Sequence, residues 1–491
     1  MLKRLLIHLS AYTLGNLLVT VAGFVSFPIF SRIFSVPEYG ILNLISLTLN
    51  LLTALGKLGV QHASVRFYGE VKAREDDVEL KQFYSTVLFG MAGTSLAIAI
   101  LWAGTSQIIP ERWWQHEGVR DLLLLTAVLV FIRVTDSGMV NILRAQQHSA
   151  VLNVYTVIKR YVELGIVLLM VLRIMPGLKG FYWGTILVEA VAVVLLFVWW
   201  RRSRPVAPSA FSSRLYLAML AFGLPMVASE MGAILLSVGD RYVLQLMLGG
   251  EALGLYAAPY NLCEYVRTIA IMSLAQAMVP IYVRIWEEQG EAETLKFLEQ
   301  TLHFYLLVGA AVVGGLAAVG EDLLVVLASD KYRAGAEIIP YVAAGMVIEG
   351  IWPLVGAGLN IRKHTRVVAK IVAGCVVLNL ALNVALIPSL ELRGAAIGTL
   401  VCYAVLTISI YVVARRALPI KLPWGILLKF VSLAFIMYLA VGFIETSNVI
   451  TNLVAKVFLG IALYAALVVM FDRGARALAL SRWAAIRARG G

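Results

Sequence analysis

Ionisable side chains stand inside long apolar stretches of this sequence. Lys57, Arg133, Asp136, Lys159, Arg160, Glu163 and Glu189 do so in its first part, and Glu230, Glu264, Arg267 and Glu349 in its second. A charge at mid-bilayer costs roughly 2.5–3.5 kcal/mol on the insertion scale, so such residues face a cavity or a partner. Arg133/Asp136, Arg160/Glu163 and Glu264/Arg267 are spaced i,i+3, and Lys159/Glu163 is spaced i,i+4, which puts each pair on one helix face. Pairs that merely neutralise themselves for insertion are the plain account of these spacings. Lys57, Glu189, Glu230 and Glu349 have no local partner at helical spacing. Lys57 can snorkel to the inner surface. The three lone carboxylates lie near mid-span, and at least two are expected to line a wet cavity.

The first set holds four cations and three anions, the second one cation and three anions. Lys and Arg suit phosphate by charge, and Arg also by its bidentate fork. The expectation is a division of labour. An anionic headgroup meets Arg32, Lys57, Arg66, Arg133, Lys159, Arg160 and Arg267. A coupling ion, proton or sodium, meets carboxylates drawn from Asp136, Glu163, Glu189, Glu230, Glu264 and Glu349. Prolines inside apolar segments remove a ladder hydrogen bond and kink a helix. Pro28 and Pro225, read as occupying comparable places in two repeats, are the expected hinges, and static kinks are the plain alternative.

Other chemistry is not offered. No Ser-His-Asp, metal-ligand or Gly-rich phosphate pattern appears, so neither an enzyme nor a resident metal or cofactor is expected. His8, His62, His148, His303 and His364 fall at inner ends of segments and His116 alone outside. Cys263, Cys375 and Cys402 lie in apolar segments without disulfide or metal spacing and read as small buried residues.

The elements that hold these charges are membrane helices. The chain has 491 residues, 60% hydrophobic and only 14% charged, where soluble domains carry about 25% charge. A spanning helix needs about 20 apolar residues, and such windows run almost continuously. The short alternating strands of a barrel are absent. Lys3-Arg4 ahead of an apolar run imitates a signal peptide, but the run is too long and lacks a small-residue cleavage pattern before Pro28, so a retained first span is expected.

Fourteen spans are expected, near 5–34, 39–61, 82–106, 119–143, 151–174, 178–200, 215–247, 253–284, 299–320, 335–359, 367–388, 393–414, 425–444 and 451–471. With the N-terminus inside, most of the 41 Lys and Arg fall in the even-numbered loops and at the two ends, as the positive-inside rule requires. The net charge of +12 is therefore sorted by side, which argues against a nucleic-acid partner. The Arg-rich tail serves as an inner anchor or lies on the anionic leaflet.

An internal duplication organises the chain. The stretch Ser31 to Leu42, SRIFSVPEYGIL, closes one apolar segment, turns at Pro37-Glu38 and opens the next at Tyr39-Gly40. The same grammar returns at Asp240-Arg241, Gly249-Gly250-Glu251 and Gly254-Leu255-Tyr256. Six spans precede the basic linker and six follow, so the halves are expected to be parallel repeats. The division is an N-terminal bundle at 1–200, a cytoplasmic linker at 201–214, a second bundle at 215–414, two extra helices at 415–471 and a basic tail at 472–491. The fold class is an all-α polytopic membrane protein with both termini cytoplasmic.

At SRIFSVPEYGILNLISL, and at LGKLGVQHASVRFYGE from Leu55 to Glu70, the sequence resembles the Wzx-type polysaccharide flippases of the multidrug/oligosaccharidyl-lipid/polysaccharide exporter superfamily. The pattern covers about residues 1–415. The resemblance implies two six-helix bundles around a central cavity. Its substrate would be an undecaprenyl-pyrophosphate-linked oligosaccharide, moved by alternating access to the periplasmic leaflet of a bacterial inner membrane. It implies that the last two helices house the lipid tail. Partners would be that substrate, membrane lipids and glycan-assembly proteins, with one chain as the transport unit. Charge reversal of Arg133 or Arg160 is then expected to abolish transport while folding survives. The alternatives are a drug or metabolite antiporter of the same superfamily, a membrane polysaccharide polymerase or ligase, and a passive scaffold. Spans thirteen and fourteen argue against the first, and the lack of a sizeable outside loop argues against the second.

Overall fold

Ser35 sets the first helix boundary of consequence. Its side chain accepts from the Glu38 backbone while the Glu38 carboxylate takes the Ser35 N–H at 2.8 Å, a reciprocal capping box. Pro37 sits within the first turn, where a missing N–H costs nothing. Pro37-Glu38 therefore lies in the first turn of the second helix, and the reversal of the chain happens at Phe34-Ser35, three residues earlier than the sequence suggests.

The computed structural model describes residues 2–73, 76–202, 206–446, 448–472, 474 and 476, with side chains left aside at 2–14, 16, 149, 229, 271–277 and 365. The described chain is helical: α1 Leu2–Ile33, α2 Val36–Lys57, α3 Val60–Lys72, α4 Asp77–Ile108, α5 Val119–Ala145, α6 Ser149–Leu169, α7 Leu178–Arg201, α8 Ser213–Leu248, α9 Gly250–Arg267, α10 Ser273–Gln289, α11 Glu291–Leu327, α12 Ile339–Glu349, α13 Trp352–Val355, α14 Ala357–Ile361, α15 Thr365–Ala414, α16 Trp424–Gly442 and α17 Val449–Phe471. π-helical turns follow α6 at Met170–Ile174 and α9 at Thr268–Met272. Among the described residues ten helices are long and apolar enough to cross a membrane. The chain is a multi-pass membrane protein.

α15 is two antiparallel arms. Glu391 leaves the helical region at φ 48°, ψ −125°. A Cβ placed on Gly398 would lie 3.5 Å from the Leu382 Cβ, sixteen residues earlier, which a straight helix rising 1.5 Å per residue forbids.

Contacts group the chain into two units, Met1–Gly254 and Leu255–Gly491. In the first, α5 packs on α2, α3, α4 and α7, α6 packs on α1 and α7, and α8 lies on α2, α3 and α4. α8 opens the expected second bundle, yet its packed face belongs to the first unit. Gly59, with φ +76°, breaks α2 from α3 and brings its backbone against that of Gly223 on α8. In the second unit α11 packs on α10, α12, α16 and α17, and α15 on α12 to α14.

The prolines do not match as expected. Pro28 is five residues from the end of α1, whereas Pro225 is twenty-three from the end of α8. They sit at different depths in their helices and are not equivalent. Of the expected linker, residues 203–205 lie outside the described residues, and the expected basic tail does so at 473, 475 and from 477 onward.

Candidate functional site

In the first unit the charges find partners across helices rather than along them. Arg133 on α5 turns its fork to Glu189 on α7, with Nε 3.0 Å from both carboxylate oxygens and Nη2 2.9 Å from Oε1. The Glu189 side chain is only 6% exposed. Asp136, one turn along α5, accepts from Lys159 Nζ on α6 and from the Tyr155 hydroxyl at 2.6 Å. The expected Arg133/Asp136 and Lys159/Glu163 pairs therefore do not form. A bidentate partner on a facing helix satisfies a guanidinium better than a carboxylate reached along one helix surface. The i,i+3 pair Arg160/Glu163 does form, at 3.3 Å. Glu189, one of three carboxylates of which at least two were expected to line a wet cavity, is buried and paired with Arg133.

Glu230 on α8 is also partnered. Gln61 Nε2 donates to it at 3.0 Å, and His62 Nε2 lies at 3.4 Å. Arg66 pairs with Glu70 at 3.2 Å and stacks 4.8 Å over the Phe222 ring. Arg32 ends α1 on an exposed surface. Lys57, the last residue of α2, makes no hydrogen bond or ion pair with any described residue, although Glu230, Arg144 and Asp136 act on it through space. Among the intramembrane cations singled out in this unit, Lys57 alone retains an uncommitted positive charge.

In the second unit Arg267 of α9 bridges two carboxylates. Nη2 reaches Glu264 at 2.8 Å and Nη1 reaches Glu349 of α12 at 2.7 Å. Glu349, expected to be lone, is thus paired too. A separate apolar cavity of about 660 Å³ runs along α11 against α16 and α17, walled by Phe304, Leu323, Met437, Gly460, Tyr464 and Val468. Lys456 lines it and pairs with Asp322 at 2.8 Å. From Phe304 to Leu323 the wall is about 28 Å long at 1.5 Å per residue, close to the roughly 30 Å hydrocarbon core.

Several groups escaped the sequence reading. Tyr155 completes the Asp136 site. The Asp322–Lys456 pair and the Lys429–Asp472–His303 cluster tie α11, α16 and α17 together. Lys429 and Lys456 carried the same signal as Lys57, a cation in an apolar run. Buried Arg241 donates to the Ser237 carbonyl at 2.6 Å and to Asp240 at 3.2 Å. Among the described residues no group of three or more His, Cys, Asp or Glu is placed to hold a metal. The three cysteines are free and buried.

A family model described as "Polysaccharide biosynthesis protein" matches residues 6–286. The "Probable low-salt glycan biosynthesis flippase Agl15" of Haloferax volcanii is 20% identical over 183 residues, which is 37% of this chain and 38% of that protein. The matched stretch thus spans well under half of that relative. Among solved structures, the "Lipid II flippase MurJ, inward closed conformation" aligns with TM-score 0.76 at 15% identity, covering 94% of this chain and 99% of its own. An inward-facing multidrug resistance MATE family transporter of the MOP superfamily aligns with TM-score 0.66 at 15% identity, covering 83% and 94%. At such identities the structures show a shared fold. All three relatives are named as flippases or transporters, in line with the transporter expectation rather than the polymerase or ligase one.

Proposed function

The chain belongs to the polysaccharide biosynthesis protein family, and from that premise we propose that it is a flippase moving a lipid-linked oligosaccharide across the membrane. The carrying observation is the apolar cavity along α11, lined on its other side by α16 and α17. It is long enough for a polyprenyl chain to lie in while its headgroup crosses elsewhere. A drug antiporter needs no such place, and the MATE-type fold covers less of this chain than the MurJ-type fold does.

The headgroup is an undecaprenyl-linked diphosphate bearing the sugar repeat unit, delivered from the cytoplasmic to the outer leaflet by alternating access. Lys57 is the residue for the diphosphate, because its charge is not already cancelled. Arg133 and Lys159 are framework cations, each committed to a carboxylate. A proton or sodium ion couples the cycle. Adding α1, α6, the α9–α10 run and the second arm of α15 to the ten long helices gives fourteen spans, with both termini cytoplasmic. The halves 1–200 and 215–414 are repeats by descent. One chain is the transport unit, working in a bacterial inner membrane beside glycan-assembly proteins.

The test is transfer in vesicles holding the full-length protein. A fluorescent undecaprenyl-diphosphate oligosaccharide placed in one leaflet should become accessible to a membrane-impermeant quencher on the other side. Movement no faster than in protein-free vesicles, together with ethidium efflux, would place the chain with the drug antiporters.

A further inference from the structure

Two helices of the second unit lose their regular form at the same charge cluster. α9 ends at Arg267 and passes straight into the π-helical turn Thr268–Met272. α12 ends at Glu349 and continues only as the short pieces α13 and α14. π-turns and interrupted helices recur at ligand sites, where the backbone is not committed to a regular ladder.

The cluster is unevenly filled. Arg267 spends Nη1 on Glu349 and Nη2 on Glu264, and its buried Nε has no acceptor among the described residues. Glu264 receives Arg267 through Oε1, and its side chain is 40% exposed, against 19% for Arg267 and 27% for Glu349. Trp352 lies near Glu349, with Tyr260 and Tyr403 close by. Two carboxylates around one guanidinium give the cluster a formal charge of −1 when both are ionised. The site therefore offers an open acceptor at Glu264 and a spare donor at Arg267.

We propose that Glu264, Arg267 and Glu349 read the sugar of the substrate, admitting neutral or amino sugars and rejecting acidic ones. The inference rests on the flippase reading. Sugar hydroxyls donate to a carboxylate in charge-assisted bonds, roughly twice as strong as neutral ones. A ring or hydroxyl oxygen takes the Arg267 Nε–H. A uronate brings a further negative charge into a poorly solvated site that is already net negative, where repulsion is little screened. The same repulsion keeps the diphosphate out of this cluster.

The test uses full-length protein in nanodiscs and three probes: farnesyl diphosphate, its N-acetylglucosamine conjugate and its glucuronic acid conjugate. The neutral conjugate should bind about tenfold tighter than the acidic one, equivalent to ~1.4 kcal/mol. In Glu264→Gln that ratio should fall to about twofold, while farnesyl diphosphate binds as before, which also shows that the variant is folded. Equal affinity of both conjugates for the unaltered protein overturns the inference, as does a preference that survives Glu264→Gln. A variant that loses only sodium dependence assigns the cluster to a cation and overturns it as well. Binding of all three probes without discrimination leaves the flippase reading standing, whereas binding of none removes both.

Discussion

Arg133 and Glu189 meet across α5 and α7 in a two-pronged ion pair, each carboxylate oxygen 3.0 Å from the guanidinium Nε. The pair lies where the sequence placed a free headgroup cation and a lone wet carboxylate. Its role is to hold two helices together with their charges cancelled, and that reassignment changes what each substitution should do.

Arg133→Leu strands Glu189 in its buried position. Removing one partner of a buried pair costs about 3–5 kcal/mol, whereas replacing both by apolar groups is often neutral. Arg133→Leu should therefore lower the unfolding midpoint in detergent, and the double change Arg133→Met with Glu189→Leu should restore it. This replaces the expectation that Arg133 can be reversed without harm to folding. Equal stability of the single variant and the unaltered protein would mean the pair is not formed.

Lys57→Gln should behave in the opposite way. No described carboxylate loses a hydrogen-bonded partner, so stability should hold or rise. Transfer of a diphosphate-linked substrate should fall about tenfold or more, since a hydrogen bond to a charged group contributes about 1.5–3 kcal/mol. Vesicle transfer and thermal unfolding measured on the same preparation check both halves.

Gly460→Leu tests the apolar cavity. A Cβ at Gly460 has its nearest neighbour at 3.5 Å, so a larger side chain enters the cavity without a backbone clash. Transfer of a long-chain polyprenyl substrate should drop, and a farnesyl analogue should be affected less. Identical losses for both chain lengths would show that the cavity does not hold the tail.

Gly59→Ala should destabilise by more than about 1 kcal/mol. The positive φ alone disfavours an L side chain, and the Gly223 backbone occupies the space a Cβ needs. Ser35→Ala, which removes the capping box of α2, should cost about 1 kcal/mol. Comparing the two midpoints in one detergent checks the order.

Read alone, the sequence made the chain a set of membrane helices and located the charges inside them, although the span expected near 299–320 extends over Glu291–Leu327. Length and apolarity suffice for this, because the bilayer requires every span to satisfy its own backbone. The pairs Arg160/Glu163 and Glu264/Arg267 were legible for the same local reason, since one helix turn brings their side chains together. Packing between helices assigned Arg133 to Glu189, let Lys159 and Tyr155 share Asp136, and gave Arg267 its second carboxylate, Glu349. Those partners are 56, 23, 19 and 82 residues apart. Spacing along one helix cannot reveal them, because which faces of two helices meet is set by packing between elements. That is also why Lys57 emerged as the uncommitted cation only after its neighbours had been paired off.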